Sequence, residues 1–235
     1  MVGRQRSWGD LSVGMVLFPT FTQLDLAGPY EVFARMPDAE VLLLAASLEP
    51  VRSEWGLAIV PDTTFAAAPP LDVLFVPGGP GVSAAIEDDE ILGFLTNRGP
   101  QARYVTSVCT GSLILGAAGL LRGYRAATHW LSMDLLGMLG AEPTWKRVVK
   151  DRDRITGGGI TAGIDFGLAM VAELRDEVAA REIQLMMEYD PDPPFDSGSP
   201  KTADRALVEE ARAARKASQE KRKEVIEQAR AKLGL

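Results

Sequence analysis

The chain is poor in the residues that build disulfide frameworks and metal cages, with one cysteine and one histidine in 235 residues. A single cysteine excludes an intrachain disulfide network, and one Cys with one His argues against a Cys/His metal site. Long apolar runs are also missing. No segment reaches the roughly 18 consecutive apolar residues of a membrane span. The first apolar run, Val13 to Phe18, is too short for a signal sequence and is cut by Pro19. The expectation is a reducing, cytoplasmic setting, with residues 1–10 a flexible extension. Basic residues are in deficit, 25 Lys and Arg against 32 Asp and Glu, giving a formal net charge of −7. Such a chain has no global attraction for nucleic acid or for an anionic membrane.

What is present is an ordinary globular balance, 46% hydrophobic and 24% charged residues, in a length that suits one full-sized domain with an appendage. Short runs rich in Val, Ile and Leu recur at Val13–Phe18, Val41–Ala45, Ala58–Val60, Val73–Val76 and Tyr104–Val108. Runs that are apolar at nearly every position suit strands covered on both faces. Helical patterns fall between them at Tyr30–Arg35, Ser83–Thr96 and Ser112–Leu121. The alternation predicts an α/β fold with a doubly wound, mainly parallel sheet flanked by helices, flavodoxin-like in arrangement. The stretch from Val51 to Val60 lacks a helix and reads as a hairpin or a crossing strand. A long helical pattern from Thr161 to Tyr189 ends in the proline-rich connector 190–200, which cannot continue a helix. Beyond it, 202–233 is a charged amphipathic helix. The expected organisation is therefore an α/β domain over 11–200 and a C-terminal helix over 201–235, solvated or packed on the domain or a second subunit.

The chemistry converges on Cys109, placed where an apolar strand ends at Val108 and Thr110-Gly-Ser begins a helix. A sharp strand-to-helix turn presents a side chain above the sheet edge, as in a nucleophile elbow. The helix end favours thiolate, the reactive form. The other reading is a small, inert core residue. Gly78 and Gly79 follow the strand Val73–Val76 and offer bare N–H groups to an anion, or simply make a turn. Asp25, between Leu24 and Leu26, is a carboxyl among apolar neighbours, suited to carrying a proton or else to capping a helix that starts near Pro29. Gly157-Gly158-Gly159 put bare backbone before the long helix, and Asp165 complements that helix's dipole. His129 offers a Cys/His dyad or a helix-start histidine.

At these residues the sequence resembles the ThiJ/PfpI superfamily, with its class I glutamine amidotransferase-like fold, and within it the branch that hydrates isonitriles. The resemblance runs from Val13 to the C-terminal helix. It rests on Phe18-Pro…Leu24-Asp-Leu-Ala-Gly-Pro29, Val76-Pro-Gly-Gly79, Arg103-Tyr-Val-Thr-Ser-Val-Cys-Thr-Gly-Ser112, Gly116-Ala-Ala-Gly-Leu-Leu121, Ala127-Thr-His-Trp130, Ile155-Thr-Gly-Gly-Gly-Ile-Thr-Ala-Gly-Ile-Asp-Phe166 and the connector 188–200. It implies that Cys109 is the nucleophile and Asp25 the general acid/base. It further implies that Thr110 lies within hydrogen-bonding reach and that Gly158 and Ile160 line the site. The activity implied is a cofactor-free hydro-lyase reaction, isonitrile to N-substituted formamide through a covalent thioimidate, in a homodimer. Two departures from other branches narrow the choice: Thr110 stands where the protease-like branch has histidine, and Asp25 where chaperone, glyoxalase-like and protease-like branches commonly have glutamate. The rival expectations are glyoxalase- or deglycase-like action on dicarbonyls with His129 assisting, and a ligand or redox sensor using Cys109. For a DNA-binding regulator, the stretch after Pro200 is too short for the usual helix-turn-helix pair.

Overall fold

The computed structural model describes residues 11–235; the extension expected over residues 1–10 lies outside the described residues. In chain order the elements are β1 (Leu11–Val16), α1 (Gln23–Phe33), β2 (Ala39–Ala45), β3 (Val51–Arg52), β4 (Ala58–Ile59), β5 (Thr63–Thr64), β6 (Val73–Val76), α2 (Val82–Glu87), α3 (Asp89–Arg98), β7 (Tyr104–Ser107) and α4 (Gly111–Ala117). Then follow β8 (Arg125–Ala126), α5 (Met133–Met138), β9 (Glu142–Pro143), β10 (Val148–Asp151), β11 (Arg154–Gly157), α6 (Ala162–Leu174), α7 (Glu177–Met186) and α8 (Arg205–Lys232).

Seven strands form one sheet in the order β10-β11-β7-β6-β1-β2-β5, parallel throughout except for β10 against β11. β6 and β7 are buried at every position, as strands covered on both faces must be. Helices α1, α6 and α7 pack together as one layer, and α2, α3, α4, α5 and α8 as the other. Phe75 of β6 and Phe33 of α1 both meet Phe166 of α6, with ring centroids 5.6 and 6.0 Å away, and so anchor the first layer to the sheet. From β1 the chain winds outward to β2 and β5, then returns past β1 to β6, β7 and β11. Strand order therefore reverses between β1 and β6, the crevice where open α/β sheets place their ligands.

The doubly wound expectation agrees with this sheet; several element boundaries differ. Val51–Ile59 forms an antiparallel hairpin of β3 and β4 that stands apart from the main sheet, so the Ala58–Val60 run is not a central strand. The first helix begins at Gln23 rather than near Pro29, which puts Asp25 inside its first turn and Pro29 in its interior. Proline there removes an intrahelical bond, a loss that packing of α1 against α6 offsets. The run 83–96 splits at Asp88, whose carboxylate caps the Glu90 and Ile91 N–H groups. The run 161–189 likewise splits at Arg175, and Asp176 caps α7 through the Ala179 N–H. α8 packs on α2, α4 and α5 through the buried face of Val225, Ile226 and Ala229. Among the described residues no helix is long and apolar enough to cross a membrane.

Candidate active site

Four neighbouring strands bring the singled-out residues to one sheet edge: β1 leads to Asp25, β6 to Gly78 and Gly79, β7 to Cys109, and β11 to Gly158. Cys109 sits in the turn with φ at 52°, the left-handed region that costs an ordinary L-residue about 1–2 kcal/mol. The turn is held from every side. The Cys109 N–H donates to the carbonyls of Gly158 (2.7 Å) and Gly157 (3.2 Å), and its own carbonyl accepts from the hydroxyls of Thr128 (3.0 Å) and Ser112 (3.1 Å). Gly111, the first residue of α4, faces the end of β6 so closely that a Cβ there would lie 2.2 Å from the Val76 carbonyl oxygen. That contact lets the helix start directly beneath the sulfur.

Asp25 is fully buried. Its Oδ2 accepts the Gly78 N–H at 3.1 Å, a bond that spans the crevice between β1 and β6. Its Oδ1 is buried with no hydrogen-bond partner, and the Cys109 thiol is a neighbour that bears on the carboxyl's protonation. Burial lifts the Asp25 carboxyl from 3.8 to about 7; the contacts from Cys109 and the Gly78 N–H pull the other way, and the Glu54 charge adds to the rise. The Cys109 thiol is pushed well above its usual value, first by burial and then by the Asp25 charge, although the Thr110 N–H and hydroxyl face the sulfur and favour thiolate. The helix end and the Thr110 contacts thus favour thiolate, as the sequence suggests, while burial and Asp25 act against it. Desolvation and the neighbouring carboxylate therefore favour the protonated sulfur, and the thiol and the Asp25 carboxyl titrate as a coupled pair.

The glycine loop works differently from an anion hole. The Gly78 N–H is taken by Asp25, the Gly79 N–H by Thr110 Oγ1 (3.1 Å), and the Cys109 N–H by the carbonyls after β11. None of the three is left to meet a ligand. What the loop supplies is closeness. A Cβ on Gly78 would fall 2.6 Å from the Thr110 nitrogen, 2.7 Å from its Oγ1 and 2.8 Å from Asp25 Oδ2. Gly78→Ala is therefore expected to lower stability by about 1–3 kcal/mol, the usual cost of overpacking, and to lower activity by separating carboxyl from thiol. A thermal melt beside a turnover assay checks both; an unchanged melting temperature with full activity would show that the contact is not needed.

A cavity of about 460 Å³ opens over Cys109 and Thr110, lined also by Gly79, His129 and Ile160. Gly158 is buried behind the cysteine and faces a neighbouring cavity, which Ile160 also borders. His129 lines the cysteine cavity, yet its Nδ1 accepts the Leu131 N–H (3.4 Å). Burial first, then the charges of Arg222 and Arg215, depress it to about 4, so the ring is neutral near pH 7. Asp165 pairs with Arg147 and accepts the Tyr189 hydroxyl, a bracing role away from the sulfur. Among the described residues no three His, Cys, Asp or Glu side chains gather to hold a metal ion.

Sequence reasoning missed Arg222, which reaches the cavity from α8 and approaches the Gly79 carbonyl. A signal was available. Arg222 precedes Val225, Ile226 and Ala229 at helical spacing, so it belongs to the face that α8 buries.

A family model described as the DJ-1/PfpI family matches residues 11–173. An isonitrile hydratase of Pseudomonas putida is 55% identical over 96% of this chain and 99% of its own. A glutathione-independent glyoxalase of Caenorhabditis elegans, DJR-1.2, is 28% identical over 57% of this chain and 73% of its own. Among solved structures, a ThiJ/PfpI family protein from Pseudomonas syringae superposes with a TM-score of 0.91 at 50% identity, covering 95% of this chain and 93% of the other.

Proposed function

The chain belongs to the DJ-1/PfpI family, and from that premise we propose that it hydrates isonitriles to N-substituted formamides, with Cys109 as nucleophile and Asp25 moving the protons. The observation that carries this reading is the Cys109 thiol set against the buried Asp25 carboxyl, in a chain 55% identical to an isonitrile hydratase.

An isonitrile reacts at one atom. Its terminal carbon accepts a nucleophile and then, on the same carbon, a proton. A thiol and a carboxyl side by side suit that demand, since sulfur and proton arrive from one direction. Asp25 takes the thiol proton as the sulfur forms its bond to carbon, and returns the proton to that carbon, giving the thioimidate R–N=CH–S–Cys109. Covalent capture divides one difficult addition into two easier ones. Asp25, again a carboxylate, then takes a proton from water as the water oxygen bonds to the same carbon, and passes it to the nitrogen. When the carbon–sulfur bond breaks, the hydroxyl proton returns through Asp25 to the sulfur and R–NH–CHO leaves. The sum is one water added to one isonitrile, with the pair restored. Thr110, its hydroxyl against the sulfur, steadies the negative charge on the leaving thiolate.

The test is formamide production from a simple aromatic isonitrile, followed by chromatography, beside methylglyoxal consumption as the competing assay. Formamide without methylglyoxal loss supports the reading. A folded, reduced protein that consumes methylglyoxal and leaves the isonitrile intact overturns it in favour of dicarbonyl chemistry.

A further inference from the structure

The outer wall of the cavity over Cys109 is partly α8, which contributes a cation that the hydration steps above leave unused. Arg222 is half-buried where α8 meets the cavity, and its contacts are thin: the Gly79 carbonyl at 3.4 Å and Ser132 Oγ at 3.5 Å, both at the limit of a hydrogen bond. Its Nε is buried with no partner. Among the described residues no carboxylate lies within ion-pair distance of it, although Glu54 and Glu87 border the same cavity. Arg215, two helical turns earlier on the same face, lines this cavity as well. Both cations border the same cavity as His129 and Cys109, and their charges help depress the His129 imidazole.

A guanidinium stays charged at neutral pH, and one held out of water without a counter-charge is costly. The α8 sequence is rich in Glu, yet none of those carboxylates turns inward to meet it. The Cys109 sulfur acts on it when ionised; while that thiol keeps its proton or is bonded to carbon, neutralisation is left to whatever enters the cavity. The position suits a substrate group. Gly79 gives its N–H to Thr110, beside the sulfur, and its carbonyl to Arg222, so the guanidinium lies one residue away from the reacting end. An isonitrile is linear at carbon and nitrogen, so with its carbon on Cys109 the substituent points outward into the cavity.

We propose that Arg222, with Arg215 beside it, is a subsite for a carboxylate on the substituent, and that the preferred substrates are isocyano carboxylates in which a short spacer separates the isonitrile from the acid. This rests on the hydration reading and narrows it to a substrate class. Arg222 grips the planar carboxylate through paired N–H groups, an arrangement that a point-charge lysine reproduces in part.

The experiment compares isocyanoacetate with its methyl ester, which differ in charge and little in size. In the wild type, kcat/KM for the acid is expected to exceed that for the ester about tenfold or more, the ordinary worth of one charge-assisted hydrogen bond, with the difference in KM. Arg222→Gln is expected to bring the acid-to-ester ratio to one or below, and Arg222→Lys to restore part of it. A wild-type ratio near one, or a ratio that Arg222→Gln leaves unchanged, overturns the subsite. Turnover of neither compound while the aromatic isonitrile is hydrated also overturns the subsite, whereas turnover of none of the three overturns the hydration reading instead. In that event the subsite is read without catalysis, from alkylation of Cys109, the one cysteine in the chain, by iodoacetate and by iodoacetamide. A fall in the iodoacetate-to-iodoacetamide rate ratio on Arg222→Gln supports the anion site, and an unchanged ratio removes it.

Discussion

Cys109→Ala is expected to abolish isonitrile turnover, lowering kcat by about four to six orders of magnitude, the scale seen when a covalent nucleophile is removed. The reason lies in the chemistry of the carbon. In the proposed reaction, loss of the sulfur that forms the thioimidate leaves Asp25 only to direct water onto an unactivated isonitrile. The loss should not come from unfolding. Alanine occupies the same left-handed turn with no new strain beyond what cysteine already bears at φ 52°. The four hydrogen bonds that hold the turn all use the Cys109 backbone and are untouched. Circular dichroism and a thermal melt should therefore match the wild type. Adding Asp25→Asn to Cys109→Ala should cost little more, because groups that act as a unit are strongly non-additive. Residual turnover within tenfold of the wild type would exclude Cys109 as nucleophile and leave direct water attack.

Asp25→Asn should separate activity from stability. Turnover is expected to fall about 10²- to 10⁴-fold, the usual contribution of a positioned acid–base group, since asparagine neither takes the thiol proton nor returns it to carbon. Stability should move in the other direction as pH rises. The Asp25 carboxyl is raised by burial from 3.8 to about 7 in the folded chain, so the folded state binds its proton more tightly than the unfolded state does. Its favourable contribution is complete below about 4 and is lost as pH climbs through about 7. Above that, the wild type holds a buried carboxylate at a penalty on the order of 4 kcal/mol. Asparagine carries no such penalty and can still accept the Gly78 N–H. The melting temperature of Asp25→Asn relative to the wild type should therefore increase between pH 4 and pH 8; a gap that does not change with pH would refute the burial argument. In the wild type, kcat/KM should rise through about pH 7, as the pair passes from two protons to the single shared one that the mechanism uses.

How readable each part of the site was depends on how local its determinants are. The Cys109 turn was legible because an apolar run, a cysteine and a Thr-Gly-Ser helix start are contiguous. The role of the glycines was not. Gly78 meets Asp25 across 53 positions of chain, and from sequence its free N–H could be assigned to a ligand as readily as to a carboxyl. The charge state of Cys109 was not legible for the same reason. A helix end is a local feature, whereas the burial and the Asp25 carboxyl that outweigh it come from elements that meet only in the folded chain. Helix breaks at Asp88 and Asp176 rest on capping geometry that periodicity does not register.

By itself, then, the sequence determined the alternation of strands and helices, the edge of the sheet at which the chemistry sits, and the two side chains that motif and resemblance single out. Those follow from patterns with periods of a few residues, which short windows of sequence express directly. The tertiary structure alone decided which N–H groups are spent on Asp25 and Thr110, that burial raises both the Asp25 carboxyl and the Cys109 thiol, and that Arg222 arrives over Cys109 from 143 positions beyond Gly79. Desolvation and long-range pairing are properties of a space enclosed by several elements at once. They come into being only when α1, the β6 loop, α4 and α8 close around the same few atoms.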